Sequence, residues 1–394
     1  MRIFEKKLLL SNQPLKKKKR RRQERSKDDD RSQPNHIPID LTLEILSRLP
    51  WKSIMRYQCV SKLWSSFITL PSFINSFTSR STSRSPTLLV TLSSGLGKYV
   101  FSFPQRHIPD GSTCSPFYSY QITNTDCDFP LSESVQGLIL LPGLRIWNPT
   151  LGWFLALPHP GTHRSNRKGW SSYLGYDPLE SKHKVLCVLS KNHSDQPRVI
   201  TLGARESWRT IPKGRCPSHC LAEGYGRCFN GILYYRARLR GYGHDIIMSF
   251  DVKSENFNII KFPEVRSRKL HMTRYEGSLA LVTRDYDGVT LYSLKDAHGH
   301  EWTRERFVNH LPSERVWRDS LRFRGTTDAG EFIFAPYVFH DAFFILYFDP
   351  RRNSTREVLF EKNMDEFRRS CGLHKTHSFT MEIFLNHIES LFSL

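Results

Sequence analysis

The 394-residue chain reads as an α+β multidomain protein, with a small N-terminal three-helix module followed by an all-β, propeller-like domain. Three observations predict this. Helix-spaced apolar residues crowd positions 37–70; beyond them the periodicity changes to short alternating runs; and a loose motif recurs along those runs. The expected layout is a basic tail over 1–33, the helical module over 34–77, a linker over 78–87 and the β domain over 88–391.

In the tail, 13 basic against 5 acidic side chains supply +8 of the formal net charge of +20. Lys16, Lys17, Lys18, Lys19, Arg20, Arg21 and Arg22 are consecutive. Such a run repels itself and has no apolar groups to bury, so disorder is expected. Its density near a terminus predicts a nuclear import signal, and so a nuclear protein for which cytoplasmic residence is also compatible. The bland alternative is a solvated tail that aids solubility. With no aromatic rings interleaved for stacking, the block disfavours nucleic acid as a partner. The remaining +12 makes the body basic in its own right, which speaks to steering of acidic partners and not to fold.

In the helical module, Leu41, Ile45, Leu46 and Leu49 fall at i, i+4, i+5 and i+8, one face of a short helix. Pro38 and Asp40 suit its start and Pro50 its end. A second helix is expected over 52–61 with Ile54, Tyr57 and Val60 inward, and a third directly after it with Trp64, Phe67 and Ile68 on one side. Three helices this short carry more apolar surface than they can hide among themselves. They dock either on their own chain or, through helix-spaced anchors, in the groove of a partner. The following TSRSTSRSPT stretch reads as a linker.

In the β region the recurring copies are IWNPTLGWFLALP (146–158), ITLGARESWRTIP (200–212), SFDVKSENFNIIKFP (249–263), LYSLKDAHGHEWTRERF (291–307) and YFDPRRNSTREVLF (347–360). Their starts lie roughly 40 to 60 residues apart, as propeller blades do. Asn-Pro, Asp-Pro, Gly and Ser sit where hairpins must reverse. A second element, a glycine opening an apolar run at Gly137, Gly231, Gly277 and Gly330, suits an inner strand buried on both faces near an axis. An irregular β-sandwich is the competing architecture.

Eight cysteines are too thinly spread for a disulfide scaffold. Cys216, His219, Cys220 and Cys228 lack the second spaced couple a zinc site needs, so no metal is expected. No run of about 18 apolar residues exists to cross a membrane as a helix, and the polybasic block rules the N-terminus out as a signal peptide. Motifs for nucleotide binding, zinc proteolysis or serine hydrolysis are absent, so neither a cofactor nor a catalytic residue is expected.

Ile37-Pro38, Leu41, Glu44-Ile45-Leu46, Arg48-Leu49-Pro50, Lys52-Ser53-Ile54 and Cys59-Val60-Ser61-Lys62-x-Trp64 resemble an F-box in order and spacing. The resemblance implies binding to the Skp-family adaptor of a cullin–RING ubiquitin ligase. Pro38, Leu41, Ile45, Leu46, Leu49, Pro50, Ile54, Val60 and Trp64 would build or fill that interface. Trp51, where a small residue is usual, and Gln58, where a basic one is common, depart from the pattern. Most of 85–391 resembles the F-box-associated (type 3) domain of plant F-box proteins, related in layout to kelch arrays. Trp147-Asn148-Pro149, Gly175-Tyr176-Asp177-Pro178, Ser207-Trp208-Arg209, Asn230-Gly231-Ile232, Phe250-Asp251-Val252, Glu301-Trp302 and Phe348-Asp349-Pro350 carry the match. Asn386-His387-Ile388-Glu389 fits the same layout as a closing strand or a short helix.

Two classes of function follow. The first is a non-catalytic substrate receptor of an SCF-type (Skp–cullin–F-box) ligase, holding an unknown protein target for ubiquitination. The second is a nuclear propeller enzyme or nucleic-acid-binding protein whose helices only pack inward. For the target surface the candidates are Arg236, Arg238, Arg240, Tyr242, Trp317 and Arg318, guanidinium groups mixed with aromatics as on surfaces that take acidic or phosphorylated segments.

Overall fold

The computed structural model describes residues 37–95, 97–105, 116–122, 132–161, 170–189, 196–203, 207–212, 214–221, 225–239, 245–264, 270–285, 288–296, 301–308, 321–340, 343–360, 367–369 and 378–393. The chain divides into two compact units, 1–42 and 43–394. The tail, with Lys16 to Arg22, lies outside the described residues.

Four helices come first: α1 (Ile39–Ser47), α2 (Trp51–Tyr57), α3 (Lys62–Phe67) and α4 (Pro71–Ser83). Pro50 stops α1 and caps α2 in an extended conformation. Ser61 starts α3, its Oγ accepting the Trp64 N–H at 3.1 Å. The second helix is therefore shorter than expected: it ends at Tyr57, and the chain turns through Gln58–Val60. Val60, expected inward, is 64% exposed as a result. The stretch read as a linker is helical as far as Ser83, because Phe73, Phe77 and Ser81 at i, i+4 and i+8 bury one face that outweighs the low helix preference of its serines and threonines.

The rest is six antiparallel sheets. One holds β1 (Thr87–Ser94), β2 (Gly97–Pro104) and β3 (Tyr118–Ile122). The next holds β4 (Ser134–Val135), β5 (Leu138–Leu141), β6 (Arg145–Asn148) and β7 (Trp153–Ala156). Then come β8 (Trp170–Asp177), β9 (Lys182–Leu189), β10 (Arg198–Thr201) and β11 (Arg209–Thr210). The fourth sheet has β12 (His219–Leu221), β13 (Arg227–Phe229), β14 (Ile232–Leu239), β15 (Asp245–Asp251) and β16 (Phe257–Lys261). The fifth has β17 (His271–Tyr275), β18 (Ser278–Arg284), β19 (Gly288–Leu294) and β20 (Trp302–Val308). The sixth has β21 (Leu321–Thr326), β22 (Phe332–Pro336), β24 (Phe344–Asp349) and β25 (Ser354–Leu359). The last strand, β26 (Phe379–His387), returns to the first sheet and pairs antiparallel with β1, from Thr87↔His387 to Ser93↔Thr380. The short β23 (Val338–Phe339) pairs with its other edge. The architecture is a six-bladed propeller closed by its own C-terminal strand, and Asn386-His387 belongs to that strand.

Each recurring copy is the outer hairpin of a blade: β6–β7, β10–β11, β15–β16, β19–β20 and β24–β25. Their turn chemistry is a side-chain carboxylate or amide oxygen accepting backbone N–H groups. Asn148 Oδ1 takes Thr150 and Leu151, Asp251 Oδ1 takes Ser254, and Asp349 Oδ1 takes Arg351 and Arg352. The tryptophans lock neighbouring blades. Trp208 Nε1 donates to Pro158 O at 2.7 Å and Trp302 Nε1 to Lys261 O at 2.9 Å.

The glycine-led runs, expected as inner strands near the axis, are the second strands of their blades. Gln136-Gly137, Asn230-Gly231 and Glu276-Gly277 all have positive φ at both residues and join strands paired Val135↔Leu138, Phe229↔Ile232 and Tyr275↔Ser278. They are two-residue hairpin turns of the type in which both central residues are left-handed, which glycine favours. The apolar run that follows is buried on both faces by adjacent blades, while a shorter, more polar strand takes the axis.

Candidate functional site: an apolar helical face and an axial cavity

In the larger unit, Leu46, Ile54, Phe67, Ile68, Phe73 and Phe77 form a small core completed by Leu391 from the C-terminal segment. Leu49, Tyr57 and Trp64 are half-buried against it. Tyr57 and Trp64 meet at 5.0 Å between ring centroids. Glu44 joins α1 to α4, bonding Arg48 at 2.7 Å and also Arg80. Both partners hold the Glu44 carboxyl below its ordinary range, the Arg80 hydrogen bond contributing most. Arg84 Nη2 donates to the carbonyls of Arg48 at 2.6 Å and Leu49 at 3.2 Å, satisfying acceptors just past the end of α1.

That core leaves a second set of apolar side chains in water. Ile45 is 51% exposed, Val60 64% and Leu63 46%, and Leu70 is exposed too. Within the smaller unit, Ile37, Ile39 and Leu41 are about half-exposed and Pro38 is exposed. The nine expected adaptor residues thus divide: Leu46 and Ile54 belong to the module's own core, Leu49 and Trp64 straddle it, and Pro38, Leu41, Ile45, Pro50 and Val60 face solvent. Leu63 and Leu70 were missed. Their signal was the i, i+4 and i, i+7 spacing from Cys59 and Leu63, hidden because the helix register breaks at Ser61.

The module is seated firmly on the β domain. Trp51 meets Tyr118 edge-on at 5.7 Å, and its backbone N–H donates to Glu389 Oε2 at 3.4 Å. Lys52 Nζ donates to Phe117 O at 2.9 Å. Arg84 faces Glu389 at 3.6 Å. The bulk of Trp51, a departure from the usual pattern, is a docking contact. The segment after β26 is clamped by Asn148 Nδ2, which donates to Ser390 O and Phe392 O at 3.0 Å each. Its close approach requires Gly137: a Cβ there would lie 2.5 Å from that of Ser390.

On the propeller axis lies a cavity of about 540 Å³ lined by all six innermost strands through Ser134, Tyr176, Arg227, Thr273, Thr326 and Asn386. Two largely buried ion pairs stand in and beside it. Arg227 bonds Glu133 at 3.2 Å, and on the neighbouring inner strands Arg324 bonds Glu382 at 2.8 Å. Burial raises both carboxyl pKa values against the lowering pull of the arginines.

The expected target residues are only partly visible. Arg236 and Arg238 both bond Asp245, at 2.6 and 3.0 Å, and Arg236 also lies over the Phe262 ring. One carboxylate shared by two guanidinium groups leaves this cluster with a net positive charge. Arg240, Tyr242, Trp317 and Arg318 lie outside the described residues. His219 spends Nδ1 on Pro217 O at 2.7 Å and Nε2 on Tyr235 Oη at 3.0 Å, while Cys216 Sγ stands 4.0 Å away. Among the described residues no three His, Cys, Asp or Glu side chains are grouped to hold a metal ion.

Comparison with known proteins agrees with this geometry. The F-box domain model matches residues 35–76, and the F-box associated beta propeller domain model matches 87–388. The chain is 38% identical over 373 residues to the Arabidopsis thaliana protein named "Putative F-box protein At1g47790", covering 91% of this chain and 94% of that one. It is also 38% identical over 373 residues to F-box protein At5g18160 of the same plant, at 92% of each chain. A crystal structure of TolB from Acinetobacter baumannii aligns at a TM-score of 0.40 with 9% identity over 70% of this chain and 63% of that one, too distant to bear on function. A helical F-box module joined to a six-bladed β-propeller defines a class. The chain belongs to the family of F-box proteins with an F-box-associated propeller domain.

Proposed function

We propose that the chain is the target-recognition subunit of an SCF-type ubiquitin ligase. F-box domains typically bind a Skp-family adaptor, and the observation that carries the reading is the solvent-exposed set Ile45, Val60 and Leu63 above a separately buried module core. An apolar face left wet by its own chain is suited to a partner's groove.

The chemistry asked of this chain is positional. Holding a target lysine beside a loaded ubiquitin thioester turns a bimolecular step into an effectively intramolecular one. No side chain here need make or break a bond. The seating of the F-box on the propeller through Trp51, Arg84 and Leu391 fixes the distance between adaptor and target. The strand order supports a division of ends. β1 starts at the same end of the propeller as the Gln136-Gly137 and Asn230-Gly231 turns, whereas β14 finishes and β15 begins at the opposite end, where Arg238 and Asp245 sit. The target face is that opposite end, and the Lys16–Arg22 block directs the protein to the nucleus.

Co-expression of the full chain with a Skp-family adaptor is expected to give a complex that co-elutes on gel filtration and recruits a cullin. An adaptor that never co-elutes with folded chain contradicts the reading. For the tail, a fluorescent fusion lacking residues 16–22 is expected to lose nuclear accumulation; unchanged accumulation contradicts that part alone.

A further inference from the structure

A second cavity, of about 400 Å³, lies where the helical module meets the β domain. Pro50, Trp51, Phe117, Tyr118 and Ile388 give it apolar and aromatic walls. Its volume falls in the range of small-molecule sites, which combine such walls with a few convergent polar groups.

Two of its lining residues are buried and carry polar atoms with no partner among the described residues. Ser81 is 3% exposed and its Oγ bonds nothing; His387 is fully buried and its Nε2 bonds nothing. The other His387 nitrogen, Nδ1, lies 2.8 Å from Ser134 Oγ. A hydroxyl donating to Nδ1 leaves the ring proton on Nε2, and burial keeps the imidazole neutral by pushing its pKa down to about 3. Both groups can then donate, and buried donors without acceptors are rare in folded proteins.

The charges around the cavity favour an anion as the acceptor. Arg48, Lys52 and Arg84 line it against one carboxylate, Glu389. Arg48 is held by Glu44, and Arg84 is shared between Glu389 and main-chain carbonyls. Lys52 gives one of its three N–H bonds to Phe117 O and lies 5.4 Å from the Tyr118 ring centroid. Burial raises the Glu389 pKa against the pull of Trp51 N–H, Arg84 and Lys52.

We propose that this junction cavity binds a small aromatic carboxylate, its ring against Trp51 and Tyr118 and its carboxylate on Ser81, His387 and Lys52. The ligand touches both the helical module and the strands that close the propeller, so it stiffens the joint between them. Of the nine expected adaptor residues only Pro50 lines this site, and its test needs no adaptor.

Calorimetric titration of the purified full chain with 2-naphthoate, and in parallel with 2-naphthylmethylammonium, decides it. One saturable site is expected for naphthoate, with the ammonium binding at least about tenfold more weakly. S81A is expected to weaken naphthoate about tenfold, the scale of a hydrogen bond to a charged group, and S81L to abolish binding by filling the space. Equal affinity for the two probes, unchanged naphthoate binding in S81A, or no saturable heat up to about millimolar probe each overturn the proposal. Should S81L fail to fold, S81A and the charge-reversed probe still decide it.

Discussion

Gly137 and Gly277 occupy the same turn position at φ of 82° and 83°, yet their surroundings differ completely. A Cβ on Gly277 meets nothing within 4 Å, whereas on Gly137 it would strike Ser390 and the Ile388 carbonyl at 2.8 Å. Gly277→Ala is expected to cost about 1–2 kcal/mol, the left-handed backbone penalty alone. Gly137→Ala is expected to cost at least about 2 kcal/mol more, because the C-terminal segment must shift. Denaturant unfolding of both variants checks this, and equal losses would show that the segment is not held there. Histidine burial gives a second prediction. His183, donating from Nε2 to Val135 O at 3.0 Å, is held neutral with its pKa pushed down to about 4, and His387 to about 3. The unfolded chain takes up these protons below about pH 6.5 and the folded chain does not. Each imidazole therefore removes about 2 kcal/mol of stability between pH 7.5 and pH 5. The raised carboxyls Glu133, Glu382 and Glu389 act in the opposite sense over that window, so the comparison must be between variants. His183→Gln should lose less stability on acidification than the wild type, and parallel pH profiles would refute the assignment. At this scale the F-box positions were readable from sequence, but their division into core and surface was not. Leu46 and Ile45 are adjacent in one apolar run, and only the packing of Phe67, Phe73 and Phe77 decides which of them is covered.

Among the elements, the outer hairpins were legible because each carries turn residues locally, such as Asn148-Pro149, Gly203 or Asp349-Pro350, and three of the five add a tryptophan. The innermost strands were not. β4 and β13 are two and three residues long and carry polar groups such as Arg227 that leave no apolar alternation to detect. β26 pairs with β1 some 290 residues away in sequence, and no local pattern announces such a partner. Helix α4 was hidden by a serine- and threonine-rich composition that mimics a linker. Its face, Phe77 above all, becomes meaningful only once the rest of the module core is in place. The segment 388–392 joins module to propeller beside the Trp51–Tyr118 and Lys52–Phe117 contacts. Deleting residues 388–394 removes Leu391, Glu389 and the two carbonyls bonded by Asn148, and hydrogen exchange in α2–α4 is expected to quicken at least about tenfold while β17–β19 stay protected. Unchanged exchange in the helices would mean the strap is dispensable.

For the molecule as a whole, closure by β26 and the seating of the helices make residues 43–394 one compact unit in which the module holds a fixed pose on the propeller. The fold class was open to sequence reading because period, turn signals and motif order all agreed. The target surface was not: Arg236 and Arg238 share the single carboxylate of Asp245, and the other four candidates lie outside the described residues. What remains exposed is the apolar face of the module, and the account stands on what that face binds. Its most direct measurement is adaptor affinity for the paired variants Val60→Glu/Leu63→Glu, both solvent-facing, beside Leu46→Ala, a core truncation expected to cost about 2–5 kcal/mol of stability. The account predicts that Val60→Glu/Leu63→Glu keeps the wild-type melting temperature and loses at least about a hundredfold in affinity, roughly 3 kcal/mol. Wild-type affinity in that folded double variant would contradict it.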